Sequence, residues 1–482
     1  MTIDYGQTIH LPKTDFPRRA GLAQKEPEIL RRWEKMDLYA MQREASKGRE
    51  KFILHMGPPF ANGNIHLGHV LSTVLKDVVC RTRQMMGYDA PLVPGFDCHG
   101  LPIEWKVEED FRAKGKNSTK DSDPVGFRAE CRAFARKWID VQSAEFQRIG
   151  VHGDWKNPYV TMDRKSEAMI AKEIHKFLLN GALYLGSKPV MWSIPEQTAL
   201  AEAEVEYKDI TSDTAWVKFP VNFEKSKNLP QKLEGASVVI WTTTPWTLPG
   251  NRAIGYGEYL NYACYKVLKV KEGNLLVKAG DKFIVCDGTN SRVDTVGKLR
   301  VEEGDELTIS FDATSDQLQE NFRKFMAETG IEAFEVPHLW WGYGHDLQGI
   351  ICHHPLHGKG YDFDVPLLPG DFVTAEDGTG FVHIAPGHGE DDYNLVSTYN
   401  KNNPTAKIEI PQTVGGDGKY FADVPLFAGL PVYMPDGKKG PANKMVLQAI
   451  AEAGNLVAQN RVTHSYPHSW RSKAPVIFRN TP

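Results

Sequence analysis

KFILHMGPPFANGNIHLGHVLSTVLKDVVCRTRQMMG, residues 51–87, changes its pattern twice, and those two changes decide the fold. Lys51 to His55 is a short apolar run of the kind a buried strand presents. Gly57, Pro58 and Pro59, followed by Asn62, Gly63 and Asn64, can neither continue a strand nor start a helix, so a loop is predicted. From Leu67 the period becomes helical. Leu71, Val74, Leu75, Val78 and Val79 recur on one face, and Gly87 stands where a left-handed residue ends a helix. Strand, glycine-rich loop and helix together form the repeating unit of a doubly wound parallel sheet, so an α/β, Rossmann-like fold is expected. The unit sets the first N–H groups of the helix at the sheet edge, where they and the helix dipole favour phosphate. His66 and His69, three apart at that helix start, can point to one side, and Gly68 between them lets a ligand approach the backbone. Two imidazoles there can stabilise charge developing at phosphorus. Taken alone, a His-x-Gly-His tetrapeptide more often caps a helix or lines a core.

Before this stretch, Lys25 to Lys47 reads as a charged helix with a broken apolar face (Ile29, Leu30, Trp33, Met36, Leu38), approached through Pro12 and Pro17; residues 1–50 form a surface arm. After it come helices over about Gly126–Arg148 and Asp163–Asn180, the second with Asp163 as N-cap and Gly181 beyond its end. Residues 51–205 therefore read as the first part of an α/β domain. Past Glu206 strand-like runs dominate: Ala215–Phe219, Val238–Thr242, Leu275–Val277, Lys282–Cys286 and Phe381–Ile384. Residues 206–432 are read as a large, mainly β domain inserted into the α/β one. Residues 433–482 return to the first domain, with a helix over Asn443–Ala453 and a buried strand over Ala474–Phe478. A chain stopping at Pro482, directly after a strand, reads as truncated.

Bulk properties agree with a globular enzyme. A length of 482 residues calls for about three domains. Net charge is −4, so any RNA contact must come from local basic patches. The six cysteines contain no C-x-x-C pair, which favours a reducing cytoplasm. There is no secretory h-region and no run of ~18 apolar residues, so no membrane association is expected.

Pro58-Pro59-Phe60-Ala61-Asn62-Gly63-Asn64-Ile65-His66-Leu67-Gly68-His69 resembles, almost residue for residue, the first motif of the class I aminoacyl-tRNA synthetases. The resemblance implies ATP binding, with Mg²⁺ carried on the nucleotide, by Pro58, Pro59, Asn62, Gly63, His66, Gly68 and His69. It makes His66 and His69 the catalytic contacts to the phosphates during adenylate formation. Gly95-Phe96-Asp97-Cys98-His99-Gly100-Leu101-Pro102-Ile103-Glu104 follows an apolar strand and bears an acid. Locally, Asp97 is as well explained as a helix cap as a carboxylate for an ammonium group at a sheet switch point. The segment looks like the isoleucine subgroup's version of this loop, with Phe96 where Trp is usual. By that resemblance Asp97, with Pro58, holds the amino acid.

Trp241-Thr242-Thr243-Thr244-Pro245-Trp246-Thr247-Leu248-Pro249-Gly250-Asn251 packs four threonines into a strand end and turn, and Thr is an ordinary strand residue. With Gly378 to Asp392 (GTGFVHIAPGHGEDD), it resembles the editing site of the isoleucine, valine and leucine synthetases. The resemblance places Thr242, Thr243, Thr244 and Asn251 around the ester and its water. It places Asp392 on the amino group of the misattached amino acid, and His383 at the terminal adenosine or the pocket wall. Valine differs from isoleucine by one methylene, worth only ~1–3 kcal/mol of discrimination, and this very pair is the standard illustration of that limit. Threonine hydroxyls can position water without a metal.

No metal is expected in this chain. Cys352-His353-His354 and His357 are spaced poorly for tetrahedral zinc, and Ser193 and Glu196 stand where many relatives have a C-x-x-C pair. The resemblance runs from Phe16-Pro17-Arg18 to His464-Ser465-Tyr466-Pro467-His468-Ser469-Trp470-Arg471. No Lys-Met-Ser-Lys-Ser motif occurs, and no anticodon-binding or C-terminal zinc region follows, so the chain alone is not expected to complete aminoacylation. The resemblance implies a monomer that activates isoleucine with ATP, transfers it to tRNA(Ile), and hydrolyses valine-charged tRNA. The alternatives are a valine-specific relative, a stand-alone editing hydrolase, a short His-x-Gly-His nucleotidyltransferase and a non-catalytic RNA-binding module. The ATP element argues against the second, the large β insertion against the third, and the acidic balance against the fourth.

Overall fold

A computed structural model describes residues 5–10, 15, 20–116, 118–120, 122–227, 229–287, 309–312, 320–336, 339–376 and 378–482. Pro12 and Phe16-Pro17-Arg18 lie outside the described residues. The chain divides into two compact units, Met1–Tyr184 and Leu185–Pro482.

In the first unit the arm is two helices, α1 (Leu22–Met36) and α2 (Leu38–Ala45), because Asp37 between them adopts a left-handed conformation at φ 46°. α3 (Leu67–Met85) is the expected helix, followed by Gly87 at φ +96°. Next come β1 (Gly95–Phe96), α4 (Leu101–Ala113), α5 (Pro124–Arg148), β2 (Tyr159–Val160) and α6 (Arg164–Leu179). All pairings here are parallel: β1 with β2, and the single bridges Lys51 with Asp89 and Phe60 with Asp97. The expected strand over Lys51–His55 is not formed. Only Lys51 bridges, with Phe52 N donating to Asp89 O at 2.9 Å, and Ile53 is exposed. The apolar row of α3 also turns out differently. Leu71 and Leu75 are 64% and 57% exposed, while the buried side carries Thr73, Asp77 and Cys80. Asp77 pays for its burial with two partners, Arg81 Nε at 2.7 Å and His152 N at 3.0 Å. Asp163 does precede α6, but its side chain makes no cap bond and instead lies 3.7 Å from Arg136.

In the second unit, strands β3 (Lys188–Ser193) and β4 (Thr198–Ala199) lead into β5 (Val205–Pro220), β6 (Ala236–Thr242), β7 (Ala253–Tyr256), β8 (Asn261–Val270), β9 (Lys282–Cys286) and β10 (Ile309–Asp312). There follow α7 (Glu320–Thr329), β11 (Ile331–Val336), β12 (Trp340–Tyr343), β13 (Ile351–His353), β14 (Asp364–Pro369) and β15 (Phe381–Ile384), then α8 (Glu390–Asn402), α9 (Ala442–Glu452), β16 (Leu456–Ser469) and β17 (Ile477–Thr481). One sheet runs β10-β11-β8-β9-β6-β5-β16, with β12 also on β8; a second runs β13-β14-β7-β15; a third runs β17-β3-β4. The core lies between the first two sheets and includes Val217, Phe219, Val238, Ile240, Ile254, Cys264 and Ile284.

The apolar runs at β9 and β15 fall where the sequence places them. Leu275–Val277 is not a strand: Asn274 Oδ1 accepts from Leu276 N and Val277 N, closing a turn that leaves Leu275 exposed. The final strand is β17, shifted toward the C-terminus, and it pairs antiparallel with β3. Residues 185–205 and 433–482 thus pack in the second unit.

Ser193, at the end of β3, and Glu196, in the turn to β4, are buried, and Glu196 Oε1 accepts from Ser469 Oγ and from Ser472 N at 3.1 Å. Glu196→Ala would strand both donors, so it is expected to lower the unfolding free energy by about 1–3 kcal/mol in a urea melt. An unchanged midpoint would show that water replaces the carboxylate.

Candidate functional site

Two groups of residues singled out from the sequence assemble, one in each unit. In the first, Pro59 O accepts from Asp97 N and Asp97 O from Ala61 N, both at 2.8 Å, so the proline loop runs alongside the segment carrying the acid. Gly95 lets the two segments approach closely, since a Cβ there would lie a tight 3.2 Å from Pro58 Cβ. Asp97 Oδ1 lies 3.4 Å from both Thr161 Oγ1 and His99 N. The Asp97 carboxyl therefore caps its own turn and reaches Thr161, while its backbone pairs with the loop.

His66 is the N-cap of α3. Its Nδ1 accepts from Gly68 N at 3.1 Å, and His69 Nδ1 accepts from His66 N at 3.4 Å. Each Nδ1 lone pair is used, so each neutral ring carries its proton on Nε2. The rings stack at 3.7 Å between centroids, His66 exposed and His69 half-buried, presenting two N–H donors side by side. Burial, and secondarily His66, holds His69 below the usual imidazole range. The glycine at 68 serves the histidine as much as any ligand, since a Cβ there would sit 2.9 Å from the His66 ring. Asn62 Nδ2 reaches Pro102 O at 3.4 Å. The loop is clamped by two α5 residues that sequence reading missed: Gln142 Nε2 donates to Phe60 O (3.0 Å) and Gly63 O (2.7 Å), and Glu145 accepts from Ile65 N (2.9 Å). A helix face facing a loop some eighty residues earlier leaves no local signal.

In the second unit a cavity of about 310 Å³ is lined by Thr242, Thr243, Thr244, Thr247, Phe381, Val382, His383, His388 and Asp392, among others. β6 delivers Thr242 at its end, and a 3₁₀ turn over Pro245–Gly250 delivers Thr247. Thr242 Oγ1 accepts from Thr244 N at 3.1 Å. Tyr420 and Asn443 brace the turn, bonding Trp246 O and Trp246 N. Asn251 lies behind the wall, fully buried, and bonds to His383. Asp392 sits in the first turn of α8 with its Oδ2 accepting from Ala385 N at 2.7 Å. Gly389 makes room for this, because a Cβ would lie 2.9 Å from the Asp392 carboxyl carbon. Burial pushes the Asp392 carboxyl up to about 6 and the His383 imidazole down to about 3. His388, also pushed down by burial, to about 4, donates from Nδ1 to Phe478 O at 2.8 Å. Thr247 and His388 were not singled out, although both stand inside the two quoted runs.

A sequence model of tRNA synthetases class I (I, L, M and V) matches residues 28–463. The chain belongs to that family. Among curated relatives of the chain, an isoleucine–tRNA ligase of Rhodopseudomonas palustris is 49% identical over 99% of the chain and 44% of its own length. One of Bradyrhizobium diazoefficiens is 49% identical over 99% of the chain and 45% of its own length, and one of Agrobacterium fabrum 50% identical over 100% and 46%. The chain therefore spans just under half the length of these relatives. Its fold is the family's, of mixed α/β content with several sheets.

Among the described residues, no group of three or more His, Cys, Asp or Glu is placed to hold a metal ion. Cys352 and His354 are buried, His354 bonding Leu248 O and Leu356 N, whereas the rings of His353 and His357 meet at a tilt with His357 near Asp362. No helix among the described residues is long and apolar enough to cross a membrane.

Proposed function

We propose that the protein is an isoleucine–tRNA ligase that activates isoleucine with ATP·Mg²⁺, transfers it to tRNA(Ile) and hydrolyses valine-charged tRNA in a separate cavity. The observation that carries this reading is near-50% identity with isoleucine–tRNA ligases along the whole chain. In this reading the chain comprises an arm (1–50), the first half of a doubly wound catalytic domain (51–205), an inserted editing domain (206–432) and a return segment (433–482). It works as a cytoplasmic monomer.

ATP, brought with Mg²⁺ as substrate, lies against the start of α3. Pro58, Pro59, Asn62, Gly63 and Gly68 shape the loop, and the paired Nε2–H groups of His66 and His69 donate to phosphate oxygens as charge grows there. Asp97 takes the α-ammonium of isoleucine, and the parallel pairing of its segment with Pro59–Ala61 supports placing acid and nucleotide loop together.

In the cavity, Asp392 takes the ammonium of the misattached valine, and the hydroxyls of Thr242, Thr243 and Thr244 hold the ester and the attacking water. A cavity lined by Val382 and Phe381 can exclude the extra methylene of isoleucine while admitting valine, which the synthetic site cannot strongly refuse.

Two measurements test this. Amino-acid binding by the intact synthetase is expected to rank isoleucine above valine and leucine; valine binding most tightly would favour the valine-specific alternative. The chain itself is expected to cleave valyl-tRNA faster than isoleucyl-tRNA, and Thr244→Ala is expected to slow that cleavage about tenfold. Unchanged cleavage in that variant would refute the cavity assignment.

A further inference from the structure

We propose that Asn251 fixes His383 as its neutral Nε2–H tautomer, and that His383 acts through Thr247 as a positioning residue of the cavity, not as the proton acceptor for the hydrolytic water. The role rests on the editing reading above; the tautomer does not.

The direction of every bond follows from two backbone carbonyls. Asn251 is fully buried, and its Nδ2 lies 2.9 Å from Ala253 O and 2.9 Å from His383 Nδ1. A carbonyl only accepts, so the amide nitrogen must face Ala253 O, and the same nitrogen then donates its second hydrogen to His383 Nδ1. Nδ1 carries the lone pair, so the ring proton is on Nε2. That proton is donated to Thr247 Oγ1 at 2.7 Å. Thr247 Oγ1 in turn donates to Thr244 O at 2.8 Å, again a group that only accepts. The chain Asn251 → His383 → Thr247 → Thr244 O is therefore one-way, anchored at both ends.

His383 has no lone pair left for water. A second proton would have to enter at Nδ1, setting an N–H against the Asn251 N–H. The titratable groups acting on the ring do not invite it: His354 and His388 oppose a positive charge, and Asp392, which lines the same cavity, turns its Oδ2 to Ala385 N and not to the ring. The imidazole is a strut. It holds Thr247 against the backbone of Thr244, whose hydroxyl lies 3.4 Å from that of Thr242 in the cavity wall.

Two-bond ¹⁵N–¹H correlation spectra of ¹⁵N-histidine-labelled protein, with His383 assigned by its loss in His383→Gln, are expected to show the neutral Nε2–H pattern unchanged between pH 5 and 8. An Nδ1–H pattern, or titration in that range, overturns the proposal. Asn251→Asp keeps the shape but offers an acceptor to Nδ1. It is expected to switch the pattern to Nδ1–H, to bring a pH dependence into valyl-tRNA deacylation, and to lower kcat about tenfold or more with a smaller change in KM. Thr247→Val, which keeps the shape without a hydroxyl, is expected to lower kcat similarly, and Thr247→Ser to restore it. Should Asn251→Asp fail to fold, the Thr247 pair decides the role, and equal rates in Val and Ser variants overturn it. A wild-type protein with the expected spectrum that does not cleave valyl-tRNA overturns the editing reading and the positioning role together, leaving the tautomer standing.

Discussion

Asp392→Asn is expected to raise the melting temperature and at the same time to abolish productive handling of valyl-tRNA. Burial pushes the Asp392 carboxyl up to about 6, from an ordinary 3.8. A carboxyl with a raised folded-state value binds its proton more tightly in the native protein than in the unfolded chain. Its contribution to stability is therefore greatest when it is protonated, declines as pH rises from about 4 to about 6, and stays at its lowest above that. A shift of this size corresponds to at most about 3 kcal/mol of destabilisation at neutral pH, which asparagine removes while still accepting from Ala385 N. The measurable signature is a wild-type unfolding free energy that falls between pH 4 and 6 by more than that of the variant. Catalysis has the opposite sign, since only the carboxylate attracts an ammonium. For the wild type, kcat/KM for deacylation should fall below pH 6 because it reports the free enzyme, and kcat should fall at a lower pH because bound ammonium favours the charged form. A kcat/KM flat from pH 5 to 8 would exclude Asp392 from recognising the amino group.

At the other site, His69→Asn and Gly68→Ala in the intact synthetase are each expected to reduce the rate of ATP–pyrophosphate exchange by about 10²–10³-fold, the usual cost of one preorganised donor to a developing charge. The first removes an Nε2–H donor. The second leaves both histidines in place but drives a methyl to within 2.9 Å of the His66 ring, which must rotate away from its bond with Gly68 N. Gly68 is exposed and His69 only half-buried, so melting temperature and valyl-tRNA cleavage should hardly change. Exchange at wild-type rates in Gly68→Ala would mean that the folded-over ring of His66 is not the reactive arrangement.

Much of this architecture was legible because it is local. β9 and β15 are apolar runs that a core demands, and α3 declares itself by period and by Gly87. What escaped depends on partners distant in sequence. Lys51–His55 has a strand's composition, yet pairing, not composition, makes a strand, and only Lys51 finds a partner. The periodicity of α3 correctly identified a helix but not which side is packed, because Asp77 is buried by a bond to His152 N that no helical period encodes. The same holds at the sites. The threonines and Asp392 were visible as a dense local run, while Gln142 and Glu145 were not, since α5 meets the nucleotide loop only after folding. Thr247 was in plain view but looked like one more strand residue until His383 was placed 2.7 Å from it.

The long ladder between β5 and β16 has one more implication. Ser212 and Val462 are paired across it, and Thr211 and Thr463 touch through their hydroxyls at 3.0 Å. Severing both strands there would create two ends about 5 Å apart, a gap that a few residues can span. The enclosed segment is thus portable: it can be grafted, or its termini relocated, with little strain. Such a graft would leave β17 behind, and with it the Phe478 carbonyl on which His388 leans. A transplanted pocket would carry its threonines and its acid, but one wall would stand without its buttress.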